Sequence, residues 1–449
     1  MSGLLTLGRA AAPIASGSRA FSVSAVSCKV KGEKAKKAVS GMRKKQGTGF
    51  GAKGKGAARG PAALIKAGGL NLRTTLAKDA PDLTDLVQLY PEALIPLNVG
   101  TAATLPRTTY EHLKTFGLGK RIASEFAHGG LPTSVIRQAT LDLVGTLNAA
   151  KGSSSKETRL LLTGPRGAGK SMLMLQAVAY ALEAGWIVLY VPQASKWLDS
   201  STQYEYNEAD KSFHQTEVSQ QLLTKLGAVN KAELAKVTLP EAVKIGSQTL
   251  AAGSKLADLV ALGAKEDALA VPALAATVDV LSKQTEVPVL LAVDEMHALF
   301  RTSEYRAPDY TRLEPYNLSA SSLVLDLLTG RKAFGAGAVL GALSGSNTDW
   351  PVSDTLLHGL GQPTAHPVHP YTKHDEVHLA NAQSGIKTVE VPLGMSGKEA
   401  AAMFEVWTRK GWATNPADDI FLGGLNAASG NPGEMARGWL QSHQAYVQI

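Results

Sequence analysis

A parallel β-sheet flanked by helices on both faces, built around a phosphate-binding loop, is the fold class this sequence predicts. Three observations predict it. A buried-strand run at 159–163 leads into Gly164-Pro165-Arg166-Gly167-Ala168-Gly169-Lys170-Ser171, and 172–183 then reads as a helix rich in Met, Leu and Ala. A second apolar run, 287–293, ends in the acid pair Asp294-Glu295. Further strand-sized runs at 186–191, 338–344 and 387–393 are separated by helical stretches, the pattern that crossover connections impose on a parallel sheet.

The glycine-rich octet matches the G-x-x-x-x-G-K-[ST] pattern in its required strand-then-helix context. Its glycines let backbone N–H groups turn inward around phosphates without a side-chain clash. The amino terminus of the following helix adds partial positive charge at the same place. Lys170 supplies a full charge to the outer phosphates and Ser171 a hydroxyl for Mg²⁺. The predicted nucleotide contacts are therefore Gly164, Pro165, Arg166, Gly167, Ala168, Gly169, Lys170 and Ser171, with Met172 directly after them.

Asp294, at the end of its strand, is the second candidate on the Mg²⁺ side. Glu295 is the candidate to orient an attacking water. An acid directly after the strand-ending Asp points to the branch of P-loop folds with an added strand between the two motifs. The distance from Lys170 to Asp294 exceeds a minimal domain, and 231–280, Ala- and Leu-rich with helical periodicity, reads as a helical insertion. At the end of the 338–344 strand, Ser346 and Asn347 are candidates to sense a terminal phosphate.

A helix is predicted over 396–410, with Ser396 and Glu399 as a capping box. Asn431-Pro432-Gly433-Glu434 is an explicit helix start, with Asn431 as cap and Pro432 at the first position. Such a start is also an anion or base contact, so the carboxy-terminal helices read as a lid with Pro432 against the nucleotide and Arg437 one turn in.

Length and charge frame these motifs. The 449 residues give room for two or three domains, and 44% hydrophobic with 19% charged residues is an ordinary globular composition. No apolar run is long enough to span a bilayer. A single cysteine, Cys28, excludes an intramolecular disulfide and a cysteine metal site. The net charge of +8 is uneven: residues 1–59 hold 13 Lys and Arg against one acid, Glu33, and the rest of the chain is slightly acidic.

Residues 1–28, with Arg9, Arg19 and no acid, have the composition of a mitochondrial transit peptide, and Arg19-Ala20-Phe21-Ser22 looks like a matrix-protease context. Residues 29–60 form a basic arm with one aromatic, Phe50; it cannot bury a core and is suited to RNA backbone contact without base reading. An amino-terminal helical region at 61–155, a nucleotide-binding domain at 156–393 and the lid at 394–449 complete the organisation. His358, His366, His369, His374 and His378 fall in a Pro-rich stretch at irregular spacings and read as a surface loop rather than a zinc site.

A leader, a basic arm, the octet with its preceding Leu161-Leu162-Thr163, Val188-Leu189-Tyr190-Val191-Pro192, Trp197 with Asp199 and Tyr204, Asp294-Glu295 and Gly430-Asn431-Pro432 occur in that order. Together they resemble the death-associated protein family of mitochondrial small-ribosomal-subunit proteins, from about residue 117 onward. The resemblance implies a GTP-binding component of the small subunit, in its head near the intersubunit face, in the mitochondrial matrix. Its implied partners are the small-subunit rRNA, other mitochondrial ribosomal proteins and the large subunit, with a link by name to apoptosis. It also implies a five-stranded core similar to AAA+ and STAND-type signalling ATPases, and slow or absent hydrolysis. No Asn-Lys-x-Asp motif is found, so the residues themselves allow ATP as well as GTP or GDP, each with Mg²⁺. A turning-over ATPase or GTPase with a remodelling or signalling role is the alternative, motivated by Glu295.

Overall fold

The computed structural model describes residues 82–447, apart from 129–130, 365–368, 370, 372 and 414. The transit-peptide and basic-arm readings, at 1–28 and 29–60, lie outside the described residues, as does His366.

The described chain begins with a small sheet in which β1 (Val87–Gln88) runs parallel to β2 (Ala102–Thr104) and β3 (Thr133–Val135) antiparallel to it. Helices Arg107–Phe116 and Lys120–His128 lie between β2 and β3, and Gln138–Ala150 follows. The stretch at 61–155 was expected to be helical, but its described part is mixed: three strands of two or three residues are too short to show a period-2 pattern.

The central sheet is five-stranded and parallel throughout. Its strands are β4 (Arg159–Thr163), β5 (Ile187–Val191), β10 (Val289–Val293), β11 (Gly337–Ala342) and β12 (Lys387–Glu390), in the spatial order β12-β4-β11-β10-β5. β11 therefore lies between the strand before the glycine loop and the strand before Asp294, while the run at 186–191, which lies between the two motifs in sequence, forms the edge strand β5. Alternate residues of each buried strand serve opposite cores. Leu161, Leu189, Leu291 and Val339 join one cluster with helices Thr216–Val229, Leu256–Lys265, Asp267–Lys283 and Ser319–Thr329. Leu160, Leu162, Val188, Tyr190, Leu290 and Leu340 join the other with Gln138–Ala150 and Lys170–Glu183. That period-2 division is what burial on both faces requires.

Two boundaries moved for local reasons. Trp186 belongs to the end of helix Lys170–Glu183 rather than to β5: Gly185 is left-handed at φ 74°, and the Trp186 N–H returns to Ala181 O at 2.9 Å, a Schellman-type closure. β10 starts at Val289 because Pro288 has no N–H to donate. β5 is an edge strand, and Asn230 covers it, accepting from Val188 N–H at 2.7 Å and donating to Val188 O at 2.9 Å.

The insertion is not wholly helical. Its helices Leu256–Lys265 and Asp267–Lys283 pack with Thr216–Val229, but a hairpin of β8 (Val243–Ile245) and β9 (Gln248–Leu250) precedes them. A second hairpin, β6 (Glu205–Asn207) with β7 (Ser212–His214), precedes Thr216–Val229. The predicted lid folds as helices Gly397–Arg409, Asp418–Ala427 and Pro432–Val447, with its own core of Phe404, Trp407, Trp412 and Met435. Among the described residues no helix is long and apolar enough to cross a membrane.

Candidate nucleotide site

Because the five strands are parallel, their carboxy-terminal ends share one edge, the usual place for a ligand crevice in such sheets. A cleft of about 580 Å³ opens there. The structure brings Arg166, Gly167, Gly169, Lys170, Ser171, Met172, Asp294, Glu295, Asn347 and Pro432 around it. Gly164, Pro165 and Ala168 stand behind the lining. The Gly164 and Pro165 carbonyls accept from Lys170 Nζ at 2.8 and 2.7 Å, and Ala168 is fully buried.

Gly164, Gly167 and Gly169 adopt φ of 123°, 84° and 96°, a region L side chains rarely enter. A Cβ at Gly164 would lie 2.7 Å from Val391 O, and one at Gly167 2.4 Å from Asn431 Oδ1. Lys170 then begins a 14-residue helix aimed with its amino terminus at the cleft.

Asp294 is buried, with its Oδ1 accepting from Glu295 N–H at 2.8 Å. Burial pushes its carboxyl up to about 6, against the Ser171 hydroxyl, the Glu295 N–H and Lys170, which all favour the charged form. Burial lowers the Lys170 ammonium while Asp294 raises it. Glu295 is itself left-handed at φ 55°, and its carboxylate accepts a hydrogen bond from Ser195 Oγ. Ser195, in the short turn after β5, was not visible in the sequence pattern.

Two further residues escaped the sequence reading. His297, fully buried, donates from Nε2 to Trp350 O at 2.8 Å and accepts at Nδ1 from Ser344 N–H at 3.3 Å, tying the segment after Asp294 to the loop carrying Asn347. Burial lowers its imidazole to about 4, so it is neutral. Arg137 reaches across the loop. Its guanidinium donates to Ala168 O at 2.7 Å, Gly394 O at 3.1 Å and Pro392 O at 3.2 Å, and lies 3.6 Å from Glu399. Glu399 is meanwhile the capping-box acid of Gly397–Arg409, accepting from Ser396 N–H at 2.9 Å.

The last helix start is docked on the loop. Asn431 Oδ1 caps it, accepting from Gly433 and Glu434 N–H at 2.9 and 3.3 Å, while Asn431 Nδ2 donates to Arg166 O at 2.9 Å. Gly433 N–H also donates to Gly167 O at 3.0 Å, and a Cβ at 433 would sit 2.6 Å from Gly167 Cα. Two backbones touch here, which only glycine permits. Gly433→Ala is expected to destabilise the protein by about 1–3 kcal/mol through this overpacking, read by urea denaturation; a loss below about 0.5 kcal/mol would mean the helix start is not held there. Arg437 does not reach the loop: it pairs with Glu434 at 2.9 Å.

The described histidines of the Pro-rich stretch do not form one loop cluster. His358 stacks on His374 at 5.4 Å, while His378 is buried in helix Glu376–Ala382, 2.9 Å from Glu314. The surface-loop reading is therefore wrong for His378, and His358 too lies in a helix, Asp354–Gly359, places that the irregular spacing concealed.

Comparison with known proteins adds a family. Over 361 residues the chain is 26% identical to the small ribosomal subunit protein mS29 of Neurospora crassa, covering 78% of this chain and 76% of that one. It is 26% identical to the protein of the same name from Schizosaccharomyces pombe, over 64% of this chain and 60% of the relative. It is 24% identical to that of Mus musculus, over 47% of this chain and 54% of the relative. The family model described as mitochondrial ribosomal death-associated protein 3 matches residues 134–438, which contain the glycine loop, the acid pair and the docked helix start. The chain belongs to the mitochondrial ribosomal death-associated protein 3 family.

Proposed function

We propose that this protein is a structural component of the small subunit of the mitochondrial ribosome, in the matrix, and that it holds a purine nucleotide with Mg²⁺ in the cleft of a P-loop fold with an AAA+/STAND-like lid. Family membership supports the ribosomal role. Its partners would be the small-subunit rRNA, engaged in part by the basic arm, neighbouring ribosomal proteins and the large subunit. The observation that carries the nucleotide reading is the convergence of Lys170, Ser171 and Asp294 at one end of a parallel sheet, under a helix start docked on the glycine loop.

The residues present fit that ligand. Three left-handed glycines hold a loop in which side chains would collide with Val391 and Asn431. The buried Asp294 carboxylate, beside the Ser171 hydroxyl, is a hard oxygen pair whose charge the protein itself leaves poorly compensated. Loop N–H groups and the helix amino terminus would face the phosphates, and Lys170 would exchange its two carbonyl partners for phosphate oxygens. Ser171 and Asp294 would hold bound Mg²⁺, which would supply positive charge to offset that of the phosphates.

Glu295 is the residue able to orient a water, but Ser195 holds its carboxylate, which supports slow or absent turnover. Guanine is the favoured base, by family; the loop itself serves any nucleoside phosphate.

Lys170→Ala tests the reading. Small subunits purified natively with the wild-type protein should release a purine nucleotide detectable by mass spectrometry. Those with Lys170→Ala should release at least about tenfold less, and the variant should incorporate poorly when nucleotide is limiting. Equal nucleotide in both would remove Lys170 from the site. Sustained phosphate release by the free protein, lost in Glu295→Gln, would favour the turning-over enzyme instead.

A further inference from the structure

We infer that the hairpin β6–β7 and the neighbouring turn at 303–313 form a docking face for an arginine-rich segment of another protein, gripped by exposed tyrosine rings among carboxylates. Neither the hairpin nor the turn lines the nucleotide cleft, so the face is independent of the ligand there.

A row of rings leads from the core to solvent. Tyr305 is fully buried, and Tyr204 meets it edge-on at 5.1 Å. Phe213 meets Tyr204 at 5.8 Å, and Tyr206, its cross-strand partner, at 5.1 Å. Exposure rises along the row, from none at Tyr305 to 38% at Tyr204 and 50% at Tyr206. The root of the hairpin is fixed: Trp197 O accepts from Gln215 Nε2 at 2.7 Å, and Phe213 bridges to Leu318.

A second projection stands beside it. Ser303 N–H donates to Leu313 O at 3.1 Å and Ala307 N–H to Thr311 O at 2.8 Å, closing a turn with Tyr310 near its tip. Tyr310 is left-handed at φ 65°, a conformation that bulky side chains rarely take, yet its ring is 79% exposed and adds little to the core. A strained residue whose side chain folding does not use points to a use outside the chain. The two projections are joined: the Tyr204 hydroxyl donates to Arg306 O, and Arg306 Nη1 donates to Tyr310 O at 3.1 Å. The backbone under the rings is thus fixed before a partner arrives, which limits the entropy lost on docking.

Charge decides the partner. Over residues 204–214 and 304–312 the exposed bases are Lys211, Arg306 and Arg312, against five exposed acids, Glu205, Glu208, Asp210, Glu304 and Asp309. Both arginines are engaged, Arg312 at 3.6 Å from Glu304 and Arg306 on Tyr310 O. Tyrosine rings alone would also stack on nucleobases, but a surplus of carboxylates repels phosphates. A guanidinium suits both features, stacking on a ring by its face and pairing with a carboxylate by its edge. An ammonium pairs but does not stack. Proteins packed on RNA carry segments rich in Lys and Arg, and the ribosomal reading above places such segments within reach.

The experiment is fluorescence-anisotropy titration of the full chain with a labelled Arg-Gly-Ser repeat peptide, its Lys-Gly-Ser counterpart and a uridine decamer. Wild type should bind the arginine peptide roughly fivefold more tightly than the lysine peptide, a comparison that needs no variant. Tyr206→Thr with Tyr310→Asn, both compatible with the local backbone, should bind the arginine peptide roughly tenfold more weakly and lose the preference over lysine, at an unchanged melting temperature. Glu208→Gln with Asp309→Asn should weaken both peptides alike and flatten their salt dependence. No binding of the arginine peptide, equal affinity for the two peptides in wild type, or full affinity in the tyrosine double variant would overturn the inference. Tighter binding of the uridine decamer than of the arginine peptide, lost in the same variant, would also overturn it and assign the face to RNA.

Discussion

Replacing Arg137 with alanine is expected to cost about 3–5 kcal/mol of unfolding free energy, the largest effect of any single change at the site. The guanidinium is nearly buried, with 13% of its side chain exposed, and Glu399 beside it has 7% exposed. Truncation strands the Glu399 carboxylate in a low-dielectric setting and leaves three carbonyls, of Ala168, Pro392 and Gly394, short of a donor. The loss falls on the joint between glycine loop and lid, so nucleotide affinity should fall with stability. Arg137→Lys should recover only part of it, since a single ammonium cannot span partners on three sides of a planar fork. Urea denaturation of the three proteins checks this; a change under about 1 kcal/mol in Arg137→Ala would show the joint to be redundant.

Asp294→Asn is expected to move in the opposite direction. The native carboxyl titrates near 6, above its ordinary value of 3.8. A raised carboxyl contributes stability that is complete below pH 4 and lost as pH rises through 6. At pH 7.5 the ionised side chain therefore costs about 3 kcal/mol. Asparagine keeps the shape without the charge, so the ligand-free variant should melt several degrees higher at pH 7.5 while losing the Mg²⁺-nucleotide-dependent rise in melting temperature.

The acid limb should change as well. His297, lowered from 6.5 to about 4, loses stability as pH falls through that window, also by about 3 kcal/mol. In wild type the two groups oppose one another between pH 4 and 6. Asp294→Asn leaves His297 unopposed, and the variant should lose stability steeply on acidification. A melting curve at pH 7.5 no higher than wild type would mean the carboxylate is already compensated.

What the sequence disclosed follows from the range of each signal. The five strands, the glycine loop, the acid pair and both lid helix starts are written within a few adjacent residues, through strand runs, left-handed glycines and capping pairs. The partners of Arg137 are backbone carbonyls more than 250 positions away in two cases, and carbonyls leave no trace in residue type. His297 sits in an apolar run after the acid pair, where its two backbone bonds are equally invisible. Gly433 read as part of a cap because its contact with Gly167 is made by tertiary approach. The hairpins at 205–214 and 243–250 have three-residue strands, below the length at which alternation can be told from noise.

The wall supplied by Asn431 to Arg166 comes from a position 265 residues farther along the chain. A polypeptide entering an organelle amino terminus first would display the glycine loop long before that wall arrives. Until it does, the loop's outer carbonyls at Arg166 and Gly167 face solvent and the pocket lacks a side. If the cleft holds a nucleotide as proposed above, its capture would wait until the carboxy-terminal part has folded back, and a chain ending short of residue 431 would lack that side of the pocket.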